Sequence, residues 1–320
     1  MIKPQDVFCD ARQSCRASFI NGVQGWVGRL QRLPGARALC PAVQRLAAVA
    51  EPVGRAFVRG RPQRRACGRS DVVTVLTANL CHDWPRHRRM SDRLEGLARL
   101  IEQEAVDVAL LQEVARTPEI RVDEWLADRL GMAYVYTRAN GHEMGIGFEE
   151  GLAVFSRYPL RDPRVRDLEP GPTPFVHRVA LGADVHTPGG AMAAYSVHLG
   201  LLPWRNSAQL DCLRRWVTAG SRGRSAVIGG DFNAHERTRQ IMRAQSTWLD
   251  IFRHIHPSAD GTTHEWRLPW GVRALRSRLD YLFLKAEGQR WKVLEAQHLD
   301  GPTGPHSDHR AVLARLAPAG

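Results

Sequence analysis

From Val72 onward, short apolar runs alternate with stretches in which apolar residues recur at helical spacing. VVTVLTA (72–78) is rich in β-branched residues and predicts a buried strand, and VDVALLQ (106–112) predicts a second. Between them Leu94, Leu97 and Ile101 share one helical face behind Ser91 and Asp92, which read as the cap of that helix. Further strands are expected at Leu152–Phe155, Val179–Val185, Met192–Val197, Ala226–Ile228, Leu279–Leu284, Trp291–Ala296 and Ala311–Leu316. A helix over Ser207–Thr218 carries Leu210, Leu213 and Val217 on one face. With no internal repeat, the mixture predicts one α/β domain.

The first 70 residues follow a different pattern. Pro34, Pro41, Pro52 and Pro62 cut them into pieces too short for a substantial core, and Arg59–Arg65 (RGRPQRR) reads as a linker. Ile20, Val23, Val27 and Leu30 line one helical face with Arg29 roughly opposite, a basic amphipathic segment suited to an anionic membrane surface or to docking on the main domain. A mobile tail or a targeting segment fits the same residues. The chain is therefore divided into a basic extension, 1–70, and a domain, 71–320.

Charge sharpens that division. The whole chain of 320 residues carries a formal +12. Residues 1–70 hold Lys3 and twelve Arg against Asp6, Asp10 and Glu51, a net +10, so only +2 belongs to the domain. A nucleic-acid partner cannot be read from such a balance, although the field of the extension would attract any polyanion. The 43% hydrophobic content is that of a globular chain able to bury its own core, and a monomer is expected. No apolar run is long enough to span a bilayer. The six cysteines show no metal-binding or disulfide spacing, so reduced thiols and a cytoplasmic location follow, with a peripheral membrane contact through residues 1–70 as a further expectation.

The candidate chemistry lies where strands end. Asn79 closes VVTVLTAN, Glu113 closes VALLQE, His198 closes MAAYSVH, and Asp231 and Asn233 follow AVIGG. Asp280 sits in SRLDYLFL, and Asp308 and His309 precede the last strand. Each alone is equally a turn residue, and Asp-Phe-Asn is equally an Asx-turn. Together, carboxylates, an amide and imidazoles at one rim of a sheet have the composition of a hard-cation site, since Mg²⁺ prefers oxygen ligands and keeps waters for a phosphate.

In order and context, TANL, DVALLQEV, GLAVFSRYPL, SVHLGL, GGDFNAH, SRLDYLFL and SDHRAV resemble the signatures of the endonuclease/exonuclease/phosphatase superfamily of metal-dependent phosphoesterases, from about Val72 to Leu316. The resemblance implies a four-layer α-β-β-α sandwich of two mixed sheets flanked by helices, with the active site at one edge. It implies Mg²⁺ or Mn²⁺ on Glu113 and Asn79, assisted by Asp308. By the same resemblance His309 is the general base, Asp280 orients it, and Asp231 and Asn233 position the nucleophile and contact phosphate. His198 then binds the phosphate or protonates the leaving oxygen, with Glu150 a weaker candidate for its acidic partner.

Local sequence narrows the substrate only in part. LCHDWP after Asn79 is unlike abasic-site endonucleases, and SRLDYLFL lacks the signature of inositol polyphosphate phosphatases. SVHLGL and SRYPL are closest to the branch containing sphingomyelinase-like members. The substrate is then a nucleic acid or a phospholipid or small phosphodiester. Arg86, His87, Arg88 and Arg89 are placed to contact phosphates, and Trp204, Trp266 and Trp270 to stack on bases or enter a headgroup layer, while a solvated basic face and local packing explain the same residues. The competing function is a catalytically silent scaffold of the same fold that binds polyanions or membrane through its tail.

Overall fold

A computed structural model of the chain describes residues 56–62, 71–169, 177–267, 273–287 and 291–319. The amphipathic segment at residues 20–30 and Trp270 lie outside the described residues. In chain order the elements are β1 (Phe57–Arg59), β2 (Val73–Asn79), α1 (Met90–Gln103), β3 (Val108–Arg116), α2 (Val122–Leu130), β4 (Ala133–His142), α3 (Glu143–Ile146), β5 (Phe148–Ser156), β6 (Leu160–Asp167), β7 (Val179–Thr187) and β8 (Gly190–His198). They continue as α4 (Pro203–Gly220), β9 (Ala226–Asp231), α5 (Arg239–Gln245), β10 (Leu249–Asp250), α6 (Ile251–Ile255), β11 (His264–Arg267), β12 (Arg273–Ser277), β13 (Asp280–Lys285), β14 (Trp291–Leu299) and β15 (Ala311–Pro318).

Two mixed sheets pack face to face, one ordered β1-β4-β5-β3-β2-β15-β14 and the other β10-β13-β9-β8-β7-β6. Strand alternation sorts the apolar side chains into three cores. Val75, Leu110, Val154 and Val312 of the first sheet meet Leu181, Ala194, Val227 and Leu282 of the second between the sheets. On the outer face of the first sheet, Leu76, Ala109 and Leu313 receive Leu94, Leu97 and Ile101 of α1 and Leu126 of α2. Outside the second, Val197, Ile228, Tyr281 and Phe283 receive Leu210, Leu213 and Val217 of α4 and Ile241 of α5. The architecture is the expected four-layer sandwich.

Several local details differ from the sequence reading. Helix α1 begins at Met90 on Arg89, which has φ 50°, with no side-chain cap, and Asp92 pairs with Arg89 from inside the first turn. Strand β1, from the basic extension, adds to the edge of the first sheet by pairing with Tyr134–Tyr136 of β4, and Ala56 beside it is buried in the inter-sheet core. At the other sheet's edge, β6 reads LRDPRVRD, a charged strand broken by a bulge at Pro163, the composition that keeps an open edge from pairing with another chain. Among the described residues no helix is long and apolar enough to cross a membrane.

Candidate active site

Topology brings the polar strand ends to one rim. Strands β2 and β3 are parallel, as are β8 and β9: Asn79 ends β2 opposite Gln112, which brings the next residue of β3, Glu113, beside it although β3 runs on to Arg116, and His198 and Asp231, in register, end together on the other sheet. Antiparallel β13 begins at that rim with Asp280 opposite Asp231, and β15 begins just after Asp308 and His309. All eight predicted site residues therefore converge on this rim, three at strand ends, Glu113 at a bulge within β3, two at or just before strand starts, and Asn233 and Asp308 on the adjoining loops.

Two backbone devices aim them. A bulge in β3 between Leu111 and Val114 leaves Glu113 at φ 54°, which turns its carboxylate out of the pleat. In β9, Gly230 lies so close to β8 that an added Cβ would sit 1.9 Å from the Val197 carbonyl oxygen, so only glycine lets the two strands approach. Beneath the rim a polar bridge ties the sheets: Gln112 Nε2 donates to Ser196 Oγ at 3.0 Å, and Ser196 Oγ donates to the Leu111 carbonyl at 3.0 Å. Both side chains are fully buried, which fixes the residue preceding Glu113 relative to the strand that ends in His198.

Asn79 is the hub between the halves. Its Nδ2 donates to Glu113 Oε1 at 3.1 Å and to Asp231 Oδ2 at 3.2 Å, and its Oδ1 accepts from the Cys81 amide at 3.0 Å. Glu113 Oε2 accepts from the backbone amide of His82 at 3.1 Å. Asp231 Oδ1 accepts from the Asn233 amide at 2.8 Å, so Asp-Phe-Asn is an Asx-turn as well as part of the rim. Asn233 has φ 48° and donates to the Leu199 carbonyl at 2.9 Å. The two residues therefore meet through a turn and not along an extended segment.

His309 and Asp280 form a buried dyad, with Nδ1 2.8 Å from Asp280 Oδ2. The other ring nitrogen, Nε2, faces Asp231 Oδ2 at 4.0 Å. Burial would lower the titration of this imidazole, but the charges of Asp280, Asp231 and Asp308 and the Asp280 hydrogen bond push it up to about 10. His198, 3.6 Å from Asp231, is held well below the usual histidine range by burial and by the charges of Arg178 and His309, so it stays neutral.

The carboxylates lack compensation. Asp231 is pushed up to about 7 by burial and by Asp280. Glu150 is raised by burial and by Glu113. Where burial and like charge raise carboxyls in this way, a bound cation would relieve both. Glu113, Asn79 and the half-exposed Asp308 supply oxygen donors of the kind a hard cation takes, so the residues present fit a divalent metal. Against the pull of burial, contact with His264 and the charge of His309 hold Asp308 below the ordinary carboxylate range.

Some neighbours were not singled out in the sequence. His82 Nε2 lies 3.5 Å from Glu113 and 3.6 Å from Glu150, and Glu150 also accepts from Asn140 at 2.6 Å, so Glu150 engages these residues and not His198. His264 stacks beside His309, with centroids 4.4 Å apart, and the Cys81 thiol, pushed up to about 12 by burial and the charges of Asp308 and Glu113, lies against Asp308. The histidines of TANLCHD and GTTHEW were the available signal, but neither closes an apolar run: His82 lies in a loop, and His264 opens the short strand β11. In the basic loop, Arg88 pairs with Asp83 and Arg89 with Asp92, while Trp84 stacks on Phe148. Trp204 and Trp266 are exposed.

The sequence model of the Endonuclease/Exonuclease/phosphatase family matches residues 76–309, which include every residue of the rim. No curated protein matches the chain. Among solved structures, an endonuclease/exonuclease/phosphatase family protein from Leptotrichia buccalis is similar with a TM-score of 0.62 at 18% identity, over 76% of this chain and 99% of that one. The human Nocturnin catalytic domain with bound sulfate gives 0.61 at 17% identity, over 78% and 94%. A mannosyl-6-phosphatase of Bacteroides thetaiotaomicron gives 0.56 at 16% identity, over 77% and 99%. These likenesses establish the fold.

Proposed function

Because the chain belongs to the endonuclease/exonuclease/phosphatase family, we propose that it is a Mg²⁺- or Mn²⁺-dependent phosphoesterase that hydrolyses a phosphodiester of a nucleic acid, a phospholipid or a smaller compound. The observation that carries this reading is the Asp280–His309 dyad, with Nε2 open to the same rim as Glu113 and Asn79.

Glu113 and Asn79, with Asp308 directly or through water, would hold the cation, whose chemistry is to neutralise charge on the phosphate oxygens. Asp280 accepts Nδ1–H of His309, so the neutral ring presents its lone pair at Nε2, the atom that takes a proton from the attacking water. A cation held at Glu113 would oppose the carboxylate field that keeps this ring protonated. Asp231, fixed by Asn79 and by the Asn233 amide, orients the water near Nε2. Neutral His198 serves the phosphate as a hydrogen-bond donor, and Asn233 has its amide oxygen and remaining donor capacity at the same edge.

The test is turnover with Mg²⁺ or Mn²⁺ on bis-p-nitrophenyl phosphate, p-nitrophenyl phosphate, plasmid DNA and phospholipid vesicles. Wild type is compared with Glu113→Ala and His309→Ala, both expected to lose at least about a hundredfold. Equal turnover in all three proteins on every substrate would reject the assignment.

A further inference from the structure

Three clusters at the rim place histidine and carboxylate donors within 4.8 Å of one another: Asp231 with Asp280 and His309, which is the dyad and its neighbour already described, His82 with Glu113 and Glu150, and His264 with Asp308 and His309. The last two remain to be explained. Tautomer chemistry separates them. A ring nitrogen binds a metal through its lone pair, so a neutral imidazole must carry its proton on the other nitrogen. In His82 that other nitrogen is an acceptor, because the Trp84 amide donates to Nδ1 at 3.0 Å. The proton is left on Nε2, facing both carboxylates. His82 is therefore a hydrogen-bond donor between Glu113 and Glu150 and is unsuited to be a ligand.

In the His264 cluster both rings can turn an Nε2 lone pair to the site, His309 on releasing its Nε2 proton as the cation binds. His309 gives Nδ1–H to Asp280, the carboxylate-histidine pairing that accompanies metal-ligating histidines, and presents Nε2. His264 is 6% exposed, and its buried Nδ1 has no hydrogen-bond partner to impose a tautomer. Its Nε2 lies 3.7 Å from Asp308 Oδ2. A backbone bridge joins His264 to His309, and Thr263 Oγ1 accepts from the amides of Leu279 and Asp280, so both rings stand on one rigid frame.

We propose that His264 Nε2, His309 Nε2 and Asp308 Oδ2 form a second site, adjoining the first through Asp308, for a divalent transition cation, Zn²⁺ in preference to Mg²⁺, and that filling it inhibits the enzyme. Two imidazoles and one carboxylate are the donor set of three-ligand zinc sites, whereas Mg²⁺ takes oxygen ligands. Tetrahedral zinc places its ligand atoms roughly 3.3 Å apart, close to the His264–Asp308 separation, and the Asp308 side chain, 54% exposed, is free to adjust. Inhibition rests on the reading of His309 as the base: a lone pair bound to zinc cannot accept a proton from water.

The experiment uses the full chain stripped with EDTA, titrated calorimetrically with Zn²⁺ and followed by visible absorption with Co²⁺ as a spectroscopic probe. Wild type should bind one zinc tightly. His264→Asn and Asp308→Asn should weaken binding by about 10- to 100-fold or more, and Glu113→Gln should retain it. Since Asp308 is half-exposed, its variant decides the matter should the His264 variant fail to fold, read against Glu113→Gln: loss in the first with retention in the second places zinc on the histidine side. Zinc affinity unchanged in both variants, or lost only in Glu113→Gln, would overturn the proposal. With Mg²⁺ present, zinc should inhibit wild-type turnover at the concentration that fills the site. Binding through His264 without inhibition would overturn the regulatory role, together with the reading of His309 as the base, and leave the site itself standing.

Discussion

Replacing Asp280 by Asn changes one oxygen for a nitrogen inside the dyad and tests the proposed chemistry most directly. Asp280 is fully buried and its Oδ2 lies 2.8 Å from His309 Nδ1, so the substituted amide keeps the shape but not the charge. If the amide turns its NH₂ toward Nδ1, the ring proton moves to Nε2 and the basic lone pair is directed away from the water. An equivalent exchange in a hydrolase triad lowers kcat by about 10⁴, so a loss on the order of 10³ to 10⁴ is expected here. The charge matters in the opposite direction as well. With its titration pushed up to about 10, metal-free His309 is neutral in only about one molecule in a thousand at pH 7. Losing Asp280 raises that fraction, which would accelerate the reaction if proton occupancy alone limited it. The assay is kcat across pH on bis-p-nitrophenyl phosphate in saturating Mg²⁺, with Mg²⁺ affinity measured calorimetrically to show that the metal side is intact. A variant within tenfold of wild type at every pH would refute orientation by Asp280. Stability carries the same sign test in the metal-free protein. A raised histidine stabilises fully below its unfolded value near 6.5, and that contribution fades as pH rises through about 10, a slope that the Asn variant should lose.

Three further outcomes follow from the packing. His298 stacks on Phe252 with centroids 3.9 Å apart and is pushed down to about 3 by burial and by the charge of Arg278. Its lowered value stabilises above pH 6.5 and costs about 2 kcal/mol between pH 7 and 5, so in urea melts His298→Phe should lose less stability over that interval than wild type; parallel pH dependences would contradict this. Gly230→Ala would drive a methyl into the Val197 carbonyl and should lower thermal stability and turnover together, whereas a fully active, equally stable variant would show that β8 and β9 can part without cost. Deleting residues 1–55 should leave the domain folded and monomeric by size-exclusion chromatography, while deleting 1–70 removes Ala56 and β1 and should expose the β4 edge to self-association; identical behaviour of the two truncations would argue against a structural role for that strand.

The layers of the sandwich were legible because buried strands and amphipathic helices impose their periods directly on the sequence. Val72–Ala78, Val106–Gln112 and Val179–Val185 each fall within or against an observed strand, and Leu210, Leu213 and Val217 face the second sheet as their spacing requires. What escaped has a physical reason in each case. Strand β6 is an edge whose charges and proline oppose pairing beyond β7, so its composition denies the strand it forms. Strand β10 has two residues, and β1 lies in a segment whose prolines and arginines read as a linker. The sheet order could not be read at all, because it depends on contacts between residues far apart in the chain.

The site was legible for a related reason. In parallel neighbours such as β8 and β9 the last residue of each strand must reach the same rim, so a polar residue that closes an apolar run is already placed in space; Glu113 also closes an apolar run, but it reaches the rim from a bulge inside β3 and not from the strand's end. Antiparallel strands reverse the rule, which is why Asp280 and His309 belong to strand starts and were placed by motif rather than by period. His82 obeys neither rule, and His264 starts β11, which belongs to a two-stranded sheet outside the sandwich. His82 enters through a backbone turn after Asn79, and His264 through a bridge to His309 formed across 45 residues of chain. Strand periodicity thus locates those residues that the strands of the sandwich carry to the rim, whereas the residues that surround them arrive by a loop or by the small β11-β12 sheet. Metal preference is therefore to be sought where β11 starts and not along the strands of the sandwich, and replacing His264 should move metal selectivity without disturbing the residues those strands carry.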